Sequence, residues 1–466
     1  MAIFIILSIL AIGLILIATE SVNRMNKAAV AMFIGVLCWL LYIGYGTSFV
    51  VSEHQIEFLS FLSNRPPNSH SVKAFIAGSI FLKYIVSAAN IVLFLLGTMS
   101  IVEVLNNNGC FDFMQEWLRT RNPLRFLWTL TGLTFIISAN LDNLTTVCLM
   151  LPVMHAMVAD DKLRMVFGSV IVLAANCGGA FTVIGDVTSL ALWTSGVVTP
   201  TNYSALLVLP CLISLLTIVL LVSRSLPRHL SLVQSAPPYR GDDTILTRTQ
   251  RLLLLLVGIG GLWFIPTFHR ITLLPPFVGA LCVLSLLWIV NELCNRSLLG
   301  SDQMIKKRQP MALQYANIQN ILFFIGITLA FGAINETGLL NRFFDWSVSK
   351  LNDVYIISSG MGLLSGIFNN ITMTLAGLSV FSQDMILTHP ELKETFGPNG
   401  IFWALLSYSS ALGGSLLSIG TIAGFSLMRM EGVTLRWYIR HFTGKIFLGW
   451  LSGLAVFYIA VEYLYH

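Results

Sequence analysis

Two acidic side chains stand inside apolar stretches of this chain, where a charge is costly. Asp142 lies in the run SANLDNLTTVCLMLPV, and Asp186 follows a Gly-Gly pair in the run ANCGGAFTVIGDVTSLALW. Ionisable residues inside a membrane are rare and usually mark an ion or substrate path. Paired glycines beside them favour a broken helix whose freed backbone groups face that path. We expect the two stretches to form one site.

The residue types in these stretches suit an alkali cation. Sodium is a hard cation that takes oxygen ligands from carboxylates, amides, hydroxyls and free backbone carbonyls. The candidate ligands of a transported cation are Asp142, Asn143, Thr145, Asp186, Asn369, Asn370, Thr372 and Thr421. Two unpaired buried carboxylates would disfavour an anion. A carboxylate that holds a proton in one access state and sodium in the other would couple the two ions.

Simpler roles are open for each of these acids. Asp142 could cap a helix at a turn, which is compatible with ion binding because Asp and Asn favour such positions. Asp186 could be the structural partner of a basic residue, although no Lys or Arg lies near it in the sequence. Glu103 and Glu336 stand near the ends of apolar runs and are predicted to be interfacial or helix-end residues. His155 is predicted to be a packed histidine.

The composition predicts the elements that must position these residues. The chain has 466 residues, of which 56% are hydrophobic and 11% charged, with a mean hydropathy of +0.79. Soluble domains carry roughly 25% charged residues. We therefore predict an all-α polytopic membrane protein with about ten transmembrane helices. Residues 126–157 and 355–381 are predicted re-entrant hairpins, and two spans are predicted to be broken helices. The apolar first 18 residues are predicted to be a retained helix.

The distribution of basic residues predicts an orientation. If Lys27 is cytoplasmic, the proposed spans and hairpins place 20 of the 27 Lys and Arg residues in inside loops and 7 outside. The positive-inside bias then places both termini outside. Counting either hairpin as a full crossing would reverse every later loop, so the charges also support the hairpins.

The chain contains an internal match, which predicts its domain organisation. Asp142-Asn143-Leu144-Thr145 matches Asn369-Asn370-Ile371-Thr372, and GGAFTVIGD (178–186) matches GGSLLSIGT (413–421). Residues 1–466 are predicted to form a single transmembrane transporter domain with repeats at 1–223 and 252–466, joined by a cytoplasmic linker at 224–251. The hairpins enter from opposite sides, so the repeats are predicted to have inverted topology with the site near the midplane.

Several function classes find no support in the sequence. It contains no P-loop, no dinucleotide fingerprint and no zinc-ligand spacing, and its seven cysteines form no CxxC pair. No enzymatic activity, cofactor or nucleotide is therefore predicted. The basic residues lie in short clusters between apolar runs, so the predicted partner is membrane lipid and not nucleic acid.

At these residues the chain resembles the NhaD-type sodium/proton antiporters of the ion transporter superfamily. The resemblance covers nearly the whole length and is carried by NKAAVAMFIGVLCW, FLLGTMSIVE, SANLDNLTT, NCGGAFTVIGDVT, GIGGLWFIPTF, GGSLLSIGTIAG and WYIR. It implies exchange of Na⁺ or Li⁺ for H⁺ across a bacterial inner membrane by alternating access. It also implies a homodimer whose transport domain moves against a scaffold like an elevator, with Asp142, Asn143 and Asp186 in the ion site.

One departure from that family and one other function stay open. The family's second hairpin resembles DNVP, whereas this chain has Asn369-Asn370-Ile371-Thr372, so an amide replaces a carboxylate and the exchange stoichiometry is left open. A sodium- or proton-coupled transporter of organic anions or oxyanions on the same scaffold is the alternative, because half-helix N-termini could hold an anion. A membrane scaffold protein without transport fits the helices but not the paired breaks.

Overall fold

The computed structural model describes residues 2–23, 25–63, 66–227, 230, 246–295, 315–351, 353–381 and 392–464. The regular elements of these residues are all helices, which confirms the all-α class. The linker predicted at 224–251 lies mostly outside the described residues. The proposed repeat boundaries therefore remain predictions.

The first half contains thirteen helices. In chain order they are α1 Ala2–Ala18, α2 Glu20–Asn23, α3 Lys27–Gly44, α4 Gly46–Glu53, α5 Gln55–Leu62, α6 Ser69–Phe75, α7 Leu82–Asn107, α8 Phe113–Leu118, α9 Pro123–Ser138, α10 Asn143–Met157, α11 Asp161–Ala180, α12 Val187–Thr194 and α13 Pro200–Ser223. A π-helical segment, Ile76–Phe81, joins α6 to α7.

The described residues of the second half form eleven helices. These are α14 Arg248–Thr272, α15 Pro276–Cys294, α16 Tyr315–Asn335, α17 Leu339–Leu351, α18 Val354–Phe368, α19 Asn370–Val380, α20 Lys393–Phe396, α21 Ile401–Gly414, α22 Ile422–Glu431, α23 Leu435–Tyr438 and α24 Gly444–Leu464. A second π-helical segment, Ile439–Thr443, joins α23 to α24.

The helix lengths confirm a multi-pass membrane protein. Among the described residues, eight helical segments are long and apolar enough to cross a membrane, or nine if the pair α17 and α18, bent by 119°, counts as one. Two of the ten predicted spans correspond to shorter apolar helices, Ile3–Ala18 and Ile401–Gly414. The total number of crossings remains a prediction.

One predicted boundary is wrong. The sequence predicts a surface loop with an interfacial helix at residues 52–83 and a third span at residues 84–105. The helix of this span instead begins at Ser69 and runs for 39 residues to Asn107. The chain becomes helical directly after Pro66-Pro67 because Asn68 and Ser71 form a capping box, in which each side chain accepts a hydrogen bond from the other's backbone N–H.

The two predicted hairpins are each a pair of helices joined at a capped turn. Helices α9 and α10 occupy the first, and α18 and α19 the second. Asp142 caps α10 and Asn369 caps α19, and the backbone of Asn369 is in the left-handed region with φ of 79°. A positive φ is uncommon for a residue other than glycine, and Asn is enriched among the residues that have one. The structure places the turn of each hairpin where the sequence predicts its polar break.

The hairpin turns make matching backbone contacts with the two broken helices. The break between α11 and α12 places the carbonyl of Gly185 3.1 Å from the N–H of Asn143, which donates to it. In the second half, the N–H of Asn370 donates to the carbonyl of Gly420 over the same 3.1 Å. Each hairpin is therefore joined to the broken helix of its own half.

A second pair of hydrogen bonds repeats the same relation one turn earlier. The Ser138 hydroxyl at the end of α9 donates to the Ala175 carbonyl at 2.6 Å. The Ser365 hydroxyl near the end of α18 donates to the Ser410 carbonyl at 2.9 Å. These equivalent contacts support the internal repeat that the matching motifs predict.

The helices pack as two groups. One, called here the wall group, contains α1, α3, α7, α14, α15 and α16; the other, the core group, contains α9 to α13, α18, α19, α21, α22 and α24. The most extensive pairings lie within a group: α3 with α16, and α13 with α24. The groups meet where α7 contacts α12 and where α16 contacts α19.

Candidate functional site

A small polar cavity lies where the wall group meets the core group. Its volume is about 20 Å³, enough for one water-sized particle. It is lined by Leu95, Met99, Asp142, Asn143, Leu144, Asp186, Val187, Asn320, Asn370, Ile371 and Ile422. The two acidic side chains that the sequence singles out therefore face one cavity, together with amides from both halves.

Asp142 is positioned by the start of α10. It is the N-cap, with extended backbone angles, and one carboxylate oxygen accepts a hydrogen bond from the Thr145 N–H at 2.9 Å. The other oxygen accepts from the Thr145 hydroxyl. Its side chain is 5% exposed. A carboxylate has about four acceptor positions, so Asp142 keeps capacity for a further ligand.

Asp186 is positioned by the start of α12 in the same way. One oxygen accepts from the Thr188 N–H at 3.3 Å, and the other accepts from the Asn370 amide at 3.2 Å. The side chain is 2% exposed. The Asn370 contact crosses from the second half of the chain to the first.

In the part of the chain that the structure describes, neither carboxylate has a fixed positive partner. No ion pair joins Asp142 or Asp186 to a Lys or Arg of the described residues. The alternative that Asp186 pairs with a base therefore has no support in this part of the chain. A buried carboxylate without a counter-charge is costly unless it takes a proton or a cation. The arrangement favours binding one or the other.

Asn176, in the last two turns of α11 before the helix ends at Ala180, links the halves through its side chain. Its amide oxygen accepts from the Asn143 amide at 3.1 Å. Its amide nitrogen donates to the Ser415 hydroxyl at 2.8 Å and lies 3.4 Å from the Thr421 hydroxyl. Asn176 is 1% exposed, so these contacts are shielded from water.

Four of the predicted site residues line the cavity and four do not. Those that line it are Asp142, Asn143, Asp186 and Asn370. The other four are Thr145, Asn369, Thr372 and Thr421. Thr145 contacts Asp142, while Asn369 and Thr421 accept from backbone N–H groups as caps of α19 and α22. The Thr372 hydroxyl is buried and has no hydrogen-bond partner among the described residues.

Two amides near the cavity were missed in the sequence. Asn176 precedes Cys177-Gly178-Gly179 in a run that was considered only for its glycines. Asn320 lies in the apolar helix α16, and its amide nitrogen is buried without a hydrogen-bond partner in the described part of the chain. A single amide within an apolar run indicates a candidate site residue, but the local sequence does not show which group it contacts.

Four helices of the core group begin at this cavity. The first residues of α10, α12, α19 and α22 all contribute to its lining. Helix N-termini carry partial positive charge and stabilise anions. Asp142 and Asp186 occupy two of the four caps, so the negative charges that these termini favour belong to the protein itself.

The other acidic residues considered in the sequence lie elsewhere. Glu336 contacts His54 at 2.5 Å and accepts from the Tyr84 hydroxyl at 2.6 Å, and its hydrogen bond raises the pKa of His54 above the usual value. The prediction that His155 is packed is wrong: its side chain is 51% exposed and lies 2.9 Å from Glu431. None of these residues lines the cavity that holds Asp142 and Asp186.

Comparison with known proteins gives a family match and several relatives. A family model described as a citrate transporter matches residues 5–299. Sodium/proton antiporter 2 of Arabidopsis thaliana is 32% identical over 375 residues, which cover 80% of this chain and 86% of that protein. Na⁺/H⁺ antiporter NhaD of Alkalimonas amylolytica is 26% identical over 484 residues, covering 97% of this chain and 89% of the relative.

A third relative is longer than this chain. Sodium/proton antiporter 1 of Arabidopsis thaliana is 33% identical over 377 residues, which cover 81% of this chain. The match spans 62% of that protein, less than two thirds of its length.

Proposed function

This chain belongs to the NhaD-type sodium/proton antiporter family, and from that premise we propose that it exchanges Na⁺ for H⁺ across a membrane. The family and the relatives are transporters and not enzymes. The observation that carries the proposal is that two buried carboxylates, Asp142 and Asp186, share one cavity, and no Lys or Arg of the described ranges pairs with either.

The chemistry of exchange follows from competition at these carboxylates. Sodium entering the cavity meets carboxylate oxygens of Asp142 and Asp186 and amide oxygens of the surrounding Asn side chains. Protons neutralise the same carboxylates and remove their attraction for sodium. A bound proton therefore weakens the binding of sodium, and bound sodium weakens the binding of a proton, so each ion promotes release of the other. The ions are the cargo, and the exchange needs no cofactor.

The proposed movement is alternating access with inverted-topology repeats. The cavity is formed by Asp142, Asp186 and Asn370 from the core group and by Leu95 and Asn320 from the wall group. Sliding the core group along the wall group would carry the carboxylates between the two membrane faces. The equivalent hydrogen bonds of the two hairpins support the repeat on which this movement depends.

The proposal extends to the cellular setting. We propose a homodimer in a bacterial inner membrane, surrounded by lipid, that accepts Li⁺ as well as Na⁺. Li⁺ and Na⁺ are both hard monovalent cations and would use the same oxygen ligands.

Anion transport is a second candidate because four helix N-termini meet at the cavity and the matching family model is described as a citrate transporter. The cavity volume of about 20 Å³ disfavours it, since sites for small organic ligands usually measure about 300–1,000 Å³. The carboxylates of Asp142 and Asp186 would also repel an anion. Thermal stabilisation by citrate or succinate, and none by Na⁺ or Li⁺, would favour this function.

The decisive experiment is sodium-driven proton flux in proteoliposomes. We expect the purified protein to change the lumenal pH reported by a dye when Na⁺ is added, without an ionophore. Asp142→Asn and Asp186→Asn should each abolish the flux because each removes a charge and retains a cap. Asp160→Asn is the matched control: Asp160 also caps a helix, α11, but it is exposed and lies outside the cavity.

Size exclusion distinguishes a variant that has lost the ion site from one that has lost its fold. All three variants should elute as the parent does on size exclusion. An active Asp142→Asn protein would exclude that carboxylate as a ligand. No sodium-evoked proton flux from the parent protein would reject the proposed exchange.

A further inference from the structure

A second cavity adjoins the ion cavity and contains charges that the exchange site does not use. Its volume is about 40 Å³, and it is lined by Glu20, Lys27, Leu144, Gln319, Asn320, Ile422, Phe425, Ser426 and Arg429. Three of these residues, Leu144, Asn320 and Ile422, also line the ion cavity. The two spaces therefore share a wall of three side chains.

Glu20 is an incompletely paired carboxylate in this second cavity. Its side chain is 11% exposed, and one carboxylate oxygen is buried with no hydrogen-bond partner among the described residues. The other oxygen is 3.9 Å from a guanidinium nitrogen of Arg429, whose side chain is 65% exposed. A long pair with an exposed Arg contributes little. The pair with Arg429 therefore offsets little of the desolvation cost of Glu20, and the charge of Lys27 in the same cavity provides the other attraction among the described residues.

Lys27, the second positive charge, is held by aromatic rings. Its ammonium lies 4.2 Å from the ring centre of Phe425 and 5.7 Å from that of Phe323, and Lys27 is 8% exposed. Cation–π contacts of this kind stabilise a desolvated ammonium. Phe425 belongs to the core group and Lys27 to the wall group, so this contact also crosses the interface between them.

The charge distribution of the sequence places this cavity on one side of the membrane. Lys27 begins α3 and Arg429 lies near the end of α22, and the positive-inside bias assigns both helix ends to the cytoplasmic side. The second cavity thus lies between the predicted cytoplasmic face and the ion cavity. A small cation on that path would meet Glu20 before it meets Asp142 or Asp186.

We propose that the second cavity is the cytoplasmic passage of the transported cation and that Glu20 is its first carboxylate ligand there. The proposal rests on the exchange function proposed above. Arg429 pairs weakly with Glu20 between transport events and swings into solvent when a cation replaces it. Lys27 offsets part of the negative charge of Glu20, so the cation binds in the passage weakly enough to move on. Leu144 and Ile422 must then move to admit it to the ion cavity.

Side-specific kinetics test the role of Glu20. In everted vesicles, which expose the cytoplasmic face, Glu20→Gln should raise the apparent KM for Na⁺ by about tenfold, since it removes one charge-assisted ligand. In right-side-out proteoliposomes the KM should not change, because sodium arriving from the other face does not pass Glu20. A structural defect would alter both. Glu20→Asp should restore most of the affinity, and Glu116→Gln, at an exposed acid of α8, is the control.

Removing the positive charge of Arg429 should change the cytoplasmic KM for Na⁺ in the opposite direction. Arg429→Gln should lower the cytoplasmic KM for Na⁺ by a few fold because sodium no longer displaces a guanidinium from Glu20. Arg436→Gln, which removes an exposed charge of α23, is the matched control.

Thiol labelling tests the passage without requiring transport. Gln319→Cys should react with a membrane-impermeant cationic thiosulfonate from the cytoplasmic side, faster than the parent chain with its native cysteines. Ser426→Cys gives an independent position in the same cavity. Failure of both thiols to react faster than the parent would overturn the passage, as would an unchanged cytoplasmic KM in an active Glu20→Gln protein. If the parent protein shows no exchange activity, the proposed function is rejected. The labelling result alone then decides whether the second cavity is a passage.

Discussion

In the proposed ion site, helix capping and ion binding would use the same carboxylate atoms. Asp142 and Asp186 each accept a backbone N–H at the start of a helix, which directs the carboxylate towards the cavity and leaves part of its acceptor capacity free. The short polar segment before each helix lets the carboxylate lie within an apolar bundle. The structural role that the sequence offered as an alternative for Asp142 is therefore present and serves the ion site.

Asn176 is expected to affect the ion site as well as stability. Asn176→Ala removes the contacts to Asn143 and Ser415 and leaves buried partners unsatisfied, at a cost of about 1–3 kcal/mol. We expect a lower melting temperature in detergent and an apparent KM for Na⁺ raised by about tenfold, because Asn143 loses its anchor. Asn108→Ala breaks a comparable buried contact with Asn291 far from the cavity and should lower the melting temperature alone. A normal KM for Asn176→Ala would show that the link is only structural.

The neighbouring amides of the second hairpin should respond differently to a negative charge. Asn370 donates to Asp186, so Asn370→Asp replaces an attraction by repulsion and should lower exchange by at least about tenfold at neutral pH. The Asn369 side chain accepts from the Ile371 N–H, which an aspartate can also do, so Asn369→Asp should retain exchange. Both variants are measured by sodium-driven proton flux. Equal loss in the two would mean that Asn369 also reaches the ion.

At the scale of elements, glycines allow each broken helix to approach its hairpin. A Cβ on Gly178 would lie 2.3 Å from the Phe135 carbonyl oxygen, and a Cβ on Gly413 would lie 2.0 Å from that of Gly362. Real Cβ atoms do not approach carbonyl oxygens so closely, and the obstructing atoms are backbone. The Gly-Gly pairs are therefore required for packing; both pairs lie in the last turn of a continuous helix, Asp161–Ala180 or Ile401–Gly414, and the breaks begin after them.

Adding one methyl group at these positions should destabilise the protein. Gly178→Ala and Gly413→Ala force backbones apart, and we expect each to cost about 1–3 kcal/mol. Gly132→Ala and Gly360→Ala are matched controls in α9 and α18, where an added Cβ meets nothing within 4 Å and alanine is the better helix former. Thermal unfolding in detergent provides the comparison. Equal melting temperatures for Gly178→Ala and Gly132→Ala would contradict the close approach.

At the scale of the whole molecule, both cavities lie on the surface where the two helix groups meet. Asp142 and Asp186 cap helices of the core group. Lys27 begins α3 of the wall group, and Glu20 begins α2, the short helix between α1 and α3. A relative movement of the groups would change the distance between the two sets of charges. In the proposed mechanism, Glu20 would therefore not move together with the two carboxylates of the ion cavity.

The orientation of the whole molecule can be tested directly. The positive-inside bias predicts both termini outside and the linker inside. Alkaline phosphatase fused to the C-terminus should be active and green fluorescent protein fused there dark, whereas fusions after Arg224 should give the opposite result. A fluorescent C-terminal fusion would reverse the orientation and move the proposed passage to the outer face.

The sequence by itself determined the features that depend on local composition. Apolar run lengths predicted a multi-pass helical protein, and polar residues within those runs located the turns at Asp142 and Asn369. These properties are local because a helix needs its own hydrophobic length and its own cap. The number of spans is less well determined by the sequence, because α1 and α21 are short for a full span. The helix that starts at Ser69 is longer than predicted, because a capping box begins it directly after two prolines.

Only the tertiary structure decided which polar groups meet. Asn176 and Ser415 are 239 residues apart, and Asn370 reaches Asp186 across 184 residues. No local pattern encodes such a pairing, because it follows from how the helices of the two halves cross. For the same reason the sequence could not distinguish Asn370, which faces the cavity, from Asn369, which caps its helix, or bring Glu20 together with Arg429.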